Sequence, residues 1–198
     1  MASIIKCDKL LLPNGSTPTA ADLGIDVTSG DMPAGSILQV QATSVKSTAS
    51  GSSTSATGVN LGLLVSITPK KSNSAFFINV DVGVGSCTIG NTWAGILLRD
   101  GNIIGGGYSD SGHSSVLFKA PDHTGNSGSD ANHGVGASGS YLDTSGSTAG
   151  VPITFQCNFN AEGGAVHINE VESLYSNGTN PPVNGRTSST ITVFEIAQ

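Results

Sequence analysis

The chain has 198 residues and a formal net charge of −6, and only 11% of its residues are charged, where an ordinary globular domain carries about 25%. That length allows one domain with a sizeable core, and its eight Lys and Arg are scattered, which argues against the clustered cations of a nucleic-acid footprint. No run approaches the roughly 20 apolar residues of a membrane span, and the apolar stretch in MASIIKCDKLLLPNG is broken by Lys6, Asp8 and Lys9, so neither membrane insertion nor a secretory signal is expected.

In chain order, residues 1–35 stand apart. SIIKCDKLLLP can make one short strand that stops at Pro13, and GSTPTAADLGIDVTSGDMPAG then carries Pro18 and Pro33 with few residues able to form a core. Thr19 before AADLG can cap one helical turn that Gly24 ends. This is the pattern of an extended N-terminal arm whose apolar residues, Ile4, Ile5, Leu10, Leu11, Leu12, Leu23 and Ile25, need a partner surface. The three cysteines, Cys7, Cys87 and Cys157, are far apart and form no CxxC pair, which suits reduced thiols in a protein made in a cytoplasm.

From Ser36 the chain breaks into short β-type runs bounded by Gly, Pro, Asn or Ser. SILQVQATSV alternates; VNLGLLVSITP is more continuously apolar and stops at Pro69. AFFINVDVGVG sets Phe77, Asn79 and Asp81 opposite Ile78, Val80, Val82 and Val84. WAGILLRDGNIIGGG contains Asp100-Gly101, a hairpin signal because a tight primed turn needs positive φ. SSVLFKAP, VPITFQCNFN, GGAVHINEVESLY and SSTITVFEIAQ complete the set. Residues 44–58 (SVKSTASGSSTSATG) read as a polar turn segment, and His113–Ser138 as a long loop. Eight or nine such strands without a helical stripe predict an all-β fold over residues 36–198: an antiparallel β-sandwich, jelly-roll-like, with a closed barrel as the alternative.

Chemistry-bearing motifs are scarce. No GxSxG elbow, P-loop, HExxH or EF-hand loop is present, and the glycine-rich GVGSCTIG and IGGGYSDSG do not fit a dinucleotide-binding turn. Polar ligands concentrate only at His113, His123 and His133 with Asp110, Asp122 and Asp130, at spacings that neither a helix nor a strand preorganises. No metal, no cofactor and no enzymatic activity are expected. Three copies around an axis offer the one route by which His123 or His133 could meet their mates on a metal ion. Few aromatic residues are available to stack on a sugar, against a glycosidase reading of the remaining carboxylates. A segment this long without regular structure nonetheless carries function or is ordered by another subunit. With His113, Asp122, His123, Asp130 and His133 among Gly, Ser and Asn, it has the composition of an adaptable contact loop.

The order of several segments resembles a family of phage virion surface proteins, which occur as tail-fibre tips, head fibres and capsid-decorating proteins. The segments are MASIIKCDKL, TPTAADLGIDVTSG, MPAGSILQVQATSVKST, VSITPKKSNSAFFINVDV, ILLRDG, GSYLDTSGSTAGVPITFQC, AVHIN and SSTITVFEIAQ. Two departures stand out: Ser145 follows Tyr141-Leu142-Asp143-Thr144 where the family has proline, and the His/Gly-rich loop is longer. The resemblance implies a homotrimeric β-sandwich on a virion surface, made in the host cytoplasm, with no catalytic residues to carry over. It gives an expected function: a capsid decoration (cement) protein whose arm docks on the major capsid protein and whose loops can meet a host-surface glycan or receptor. The alternative is a tail-fibre or spike tip, disfavoured because no shaft precedes the sandwich. A virion-associated polysaccharide-degrading enzyme is a remote third.

Overall fold

The computed structural model describes residues 32–52, 55–86, 92–104, 116–121, 135–161, 164–169 and 187–198. The chain divides into two units, Met1–Met32 and Pro33–Gln198, and the described residues belong, Met32 apart, to the second. The arm residues Ile4, Ile5, Leu10, Leu11, Leu12, Leu23 and Ile25 lie outside the described residues.

All regular structure among the described residues is β-strand. The strands are β1 (Ile37–Val45), β2 (Ala49–Gly51), β3 (Val59–Ile67), β4 (Ala75–Ser86), β5 (Thr92–Arg99), β6 (Asn102–Ile103), β7 (Phe118–Pro121), β8 (Val135–Asp143), β9 (Ile153–Ala161), β10 (Val166–Ile168) and β11 (Ser189–Ile196). Every pairing is antiparallel.

The long strand β4 organises the first sheet. One of its edges pairs β8, from Phe76 opposite Asp143 to Gly85 opposite Val135. The other pairs β11 over Ala75–Val82 and then β10 at Gly85 and Ser86, so β11 and β10 lie end to end. Beyond them β1 and β2 line up in the same manner. The second sheet runs β3, β9, β5, with β7 and β6 end to end along the far edge of β5. Each sheet thus has four rows, and the chain passes between the two sheets in the order of a jelly roll. The predicted antiparallel sandwich is the observed fold.

Period-two alternation explains why these segments pack. Leu61, Leu63, Val65 and Ile67 of β3 point inward while the residues between them are exposed. Ile78, Val80 and Val82 are buried as expected, opposite Phe77, Asn79 and Asp81 on the outer face. Phe155, Cys157 and Phe159 of β9 and Ile191 and Val193 of β11 complete the layer between the sheets. Trp93 stands edge-on to Phe118 with ring centroids 5.7 Å apart. Each such side chain stabilises the fold by about 1.5–3 kcal/mol relative to exposure. Cys157 is a free thiol in this core; burial pushes its pKa up to about 12, so it remains neutral packing. Asp100 and Gly101 both take positive φ, 48° and 81°, and turn β5 into β6 as the Asp-Gly signal predicts.

Three expectations are corrected. The loop assigned to His113–Ser138 is shorter at both ends, because β7 occupies Phe118–Pro121 and β8 begins at Val135. VGASGSYLD carries no strong strand signal, yet its small residues are what the position demands. A Cβ at Gly139 would stand 2.8 Å from Leu117 Cγ and 3.0 Å from the Leu117 carbonyl oxygen, so β7 and β8 approach only if that side chain is missing. The turn segment 44–58 also contains the end of β1 and all of β2. Buried Asn169 holds this region, donating to the carbonyl oxygens of Val45 and Ser47 at 2.9 Å each and accepting from Ser189 Oγ at 2.6 Å. Among the described residues the strands number eleven, not eight or nine; the additions are β8 and β2, which at three residues is too short to show a period.

Candidate functional site

The sandwich has two chemically different ends. At one of them the chain enters: Gly35 N–H donates to the Ala197 carbonyl oxygen (2.8 Å), and Ala197 N–H donates to that of Ser36 (2.9 Å). At the other end lie Gly85, Ser86, Thr92 and Pro121. The contact-loop residues His113, Asp122, His123, Asp130 and His133 lie outside the described residues. The strands flanking 122–134 are described. Pro121 pairs Thr92 and Val135 pairs Gly85, so this connection joins strand ends opposite to the chain entry.

The entry end is closed by a polar layer that the sequence analysis does not single out. Register sets Asp143, Phe76, Glu195 and Gln39 side by side on the inner face of the first sheet. Arg99 reaches across from β5. Its guanidinium carbon lies 5.8 Å from the Phe76 ring centroid and 6.0 Å from that of Phe155. Nη1 donates to Asp143 Oδ2 at 2.7 Å and to Ser145 Oγ, and Nη2 donates to the Gly146 carbonyl oxygen at 2.6 Å. Asp143 Oδ1 in turn accepts from Ser145 N–H (2.9 Å) and Ser145 Oγ (2.6 Å). The serine that stands where the resembled family has proline therefore contributes a hydroxyl and an N–H that proline lacks.

Glu195, fully buried, is the second centre of this layer. Its carboxylate accepts from Ser74 Oγ (2.7 Å), Gln39 Nε2 (2.6 Å), Lys70 N–H (2.9 Å) and Lys71 N–H (3.1 Å). Burial raises its pKa, but the hydrogen bonds from Ser74, Gln39, Lys70 and Lys71 outweigh it and hold the carboxyl below its ordinary 4.5. The connection 68–74 is thereby fastened to β11. It also holds the connection 144–152: Asn73 N–H donates to the Ser147 carbonyl oxygen (2.8 Å), and Gly150 N–H to that of Pro69 (2.9 Å).

Beside this layer a cleft of about 390 Å³ is lined by Asn73, Arg99, Asp100, Ser145, Thr148 and Val151, among others. The carboxylates of the layer accept from donors that belong to the fold, so the arrangement fixes two connections. Among the described residues no group of His, Cys, Asp and Glu is placed to hold a metal ion, and no helix is long and apolar enough to cross a membrane. The signal for this layer was available as charge at inward parity, at Arg99, Asp143 and Glu195. Only the pairing register turns parity into a shared location. No protein-family model matches this chain, and neither does any curated protein.

Proposed function

We propose that this is a structural protein of a phage virion surface: a homotrimeric capsid decoration protein that clamps the major capsid protein and presents loops outward. The observation that carries this reading is the polarity of the sandwich. Gly35 and Ser36 are hydrogen-bonded to Ala197 at the end that carries the polar layer, and the strands on either side of residues 122–134, the span bearing Asp122, His123, Asp130 and His133, meet that span at the opposite end. A molecule built this way can be held at one end and offer the other to a host-surface glycan or receptor. The ordered resemblance of its segments to virion surface proteins supports the same reading. Assembly as a trimer multiplies weak contacts of single copies.

Quantitative mass spectrometry of purified virions tests the proposal. Hundreds of copies per particle are expected. A few dozen or fewer would reassign the chain to a fibre or spike tip, and none would overturn the virion reading. A second result is expected from deletion of residues 1–31. The unit Pro33–Gln198 keeps its β-type circular dichroism, because it is a compact unit with a continuous apolar layer between its own two sheets. Co-sedimentation with undecorated shells is lost. Unchanged decoration would place attachment in the sandwich.

A further inference from the structure

At the chain-entry end the usual polarity of a sheet is reversed. On three of the four rows of the first sheet, the inward residue is polar and its neighbour on the outer face is apolar: Gln39 in and Val40 out, Glu195 in and Phe194 out, Asp143 in and Leu142 out. On the fourth row Phe76 is buried and Phe77 points out. The register aligns the outward residues into one continuous row, Val40, Phe194, Phe77 and Leu142, across the whole sheet. Phe77 and Phe194 touch, with centroids 6.0 Å apart. Ile37 and Ile196, a pair at the end of β1 and β11, extend the row.

We propose that this face is where a second copy of the chain docks. Area supports this. Ile37, Val40, Phe77 and Leu142 are 55%, 47%, 37% and 50% exposed, together on the order of 350 Å², the size of the largest apolar patch of an ordinary monomer. With half-buried Phe194 and Ile196 the patch approaches the apolar share of one side of a standard interface, about 800 Å² per partner.

Charge selects the occupant. The next row of the same face is Ala42, Thr192, Asn79 and Ser140, and the first charge appears only at Asp81 beyond it. A basic partner would find no acidic residue on either row. Two copies, each with a net charge of −6, repel elsewhere and approach with least repulsion through an uncharged face. Inversion on three strands at one level also sets this row apart from the isolated apolar residues common on protein surfaces. Leu64 and Ile103, on the second sheet, are exposed singly.

The proposal deepens the reading of a self-assembling chain, and sedimentation velocity of the full chain at micromolar concentration tests it. The wild-type protein is expected to be oligomeric. Phe77→Ser with Leu142→Ser should weaken self-association by about a hundred-fold or more, from the apolar area removed. Ser140→Glu, which leaves the apolar row intact and alters only an exposed side chain, should do the same through like-charge repulsion. Leu64→Ser with Ile103→Ser should leave assembly unchanged. Circular dichroism checks that each variant is folded. A monomeric wild type overturns the proposal, as does assembly that survives both Phe77→Ser/Leu142→Ser and Ser140→Glu. A monomer whose row is protected from hydrogen exchange shows the face covered from within its own chain, which also overturns it. If the face assembles copies but virions lack the protein, the function proposed above fails and this interface stands; a virion protein that assembles elsewhere gives the reverse.

Discussion

Replacing Glu195 by Gln lowers the stability of the sandwich by roughly 2–4 kcal/mol at neutral pH, from the usual worth of hydrogen bonds to a buried charge and the cost of donors left without an acceptor. Ser74, Gln39, Lys70 and Lys71 all donate to the carboxylate, and an amide nitrogen in place of one oxygen sets donor against donor. The loss has a defined pH dependence. A carboxyl whose folded pKa lies below its unfolded value contributes stability above the unfolded value, and that contribution is lost as pH falls through the folded one. Glu195 is held below 4.5. The gap between wild type and E195Q in denaturant unfolding should therefore be full at pH 7 and shrink progressively below about pH 4.5. A gap that stayed constant to pH 3 would show that the carboxylate charge is not what the four donors recognise.

Removal of Arg99 is the second large effect. Arg99→Met leaves the Asp143 carboxylate, whose side chain is 4% exposed, without its cation, and breaking such a pair from one side costs about 3 kcal/mol. Asp143 keeps its bonds from Ser145, which favours the lower part of the range known for buried pairs. Methionine retains contact with the Phe76 and Phe155 rings, so most of the loss is electrostatic. Combining Arg99→Met with Asp143→Leu should recover part of the stability, because no unpaired charge is then buried. Chemical denaturation of the two single variants and the double variant gives the coupling. If the double variant is no more stable than Arg99→Met, the pair is not the unit that holds the connection 144–152 to the sandwich. Loss of this attachment is expected to loosen the chain-entry end before the rest of the fold.

The sequence legibly contained the strands whose apolar residues alternate over eight or more positions. β3, β4, β9 and β11 were readable because one face of each must be buried, and the Asp100-Gly101 turn because its backbone angles exclude most other residues. β8 was not readable. Its residues are small for a reason that lies at Leu117, just before β7 on the other sheet, and no local propensity records that Gly139 must let Leu117 pass.

The polar layer was hidden in a similar way. Arg99, Asp143 and Glu195 are far apart in sequence, and each alone looks like an ordinary strand-end charge. Composition and periodicity by themselves determined the fold class and the presence of one sandwich core. Those properties follow from how much apolar surface each strand must hide, which is local information. Which strands are neighbours, and therefore which charged residues share an end and which apolar ones align into a row, was decided only by tertiary pairing. A register fixes the location of every side chain on both faces at once, and it is set by contacts between segments more than a hundred residues apart, such as Gln39 and Glu195.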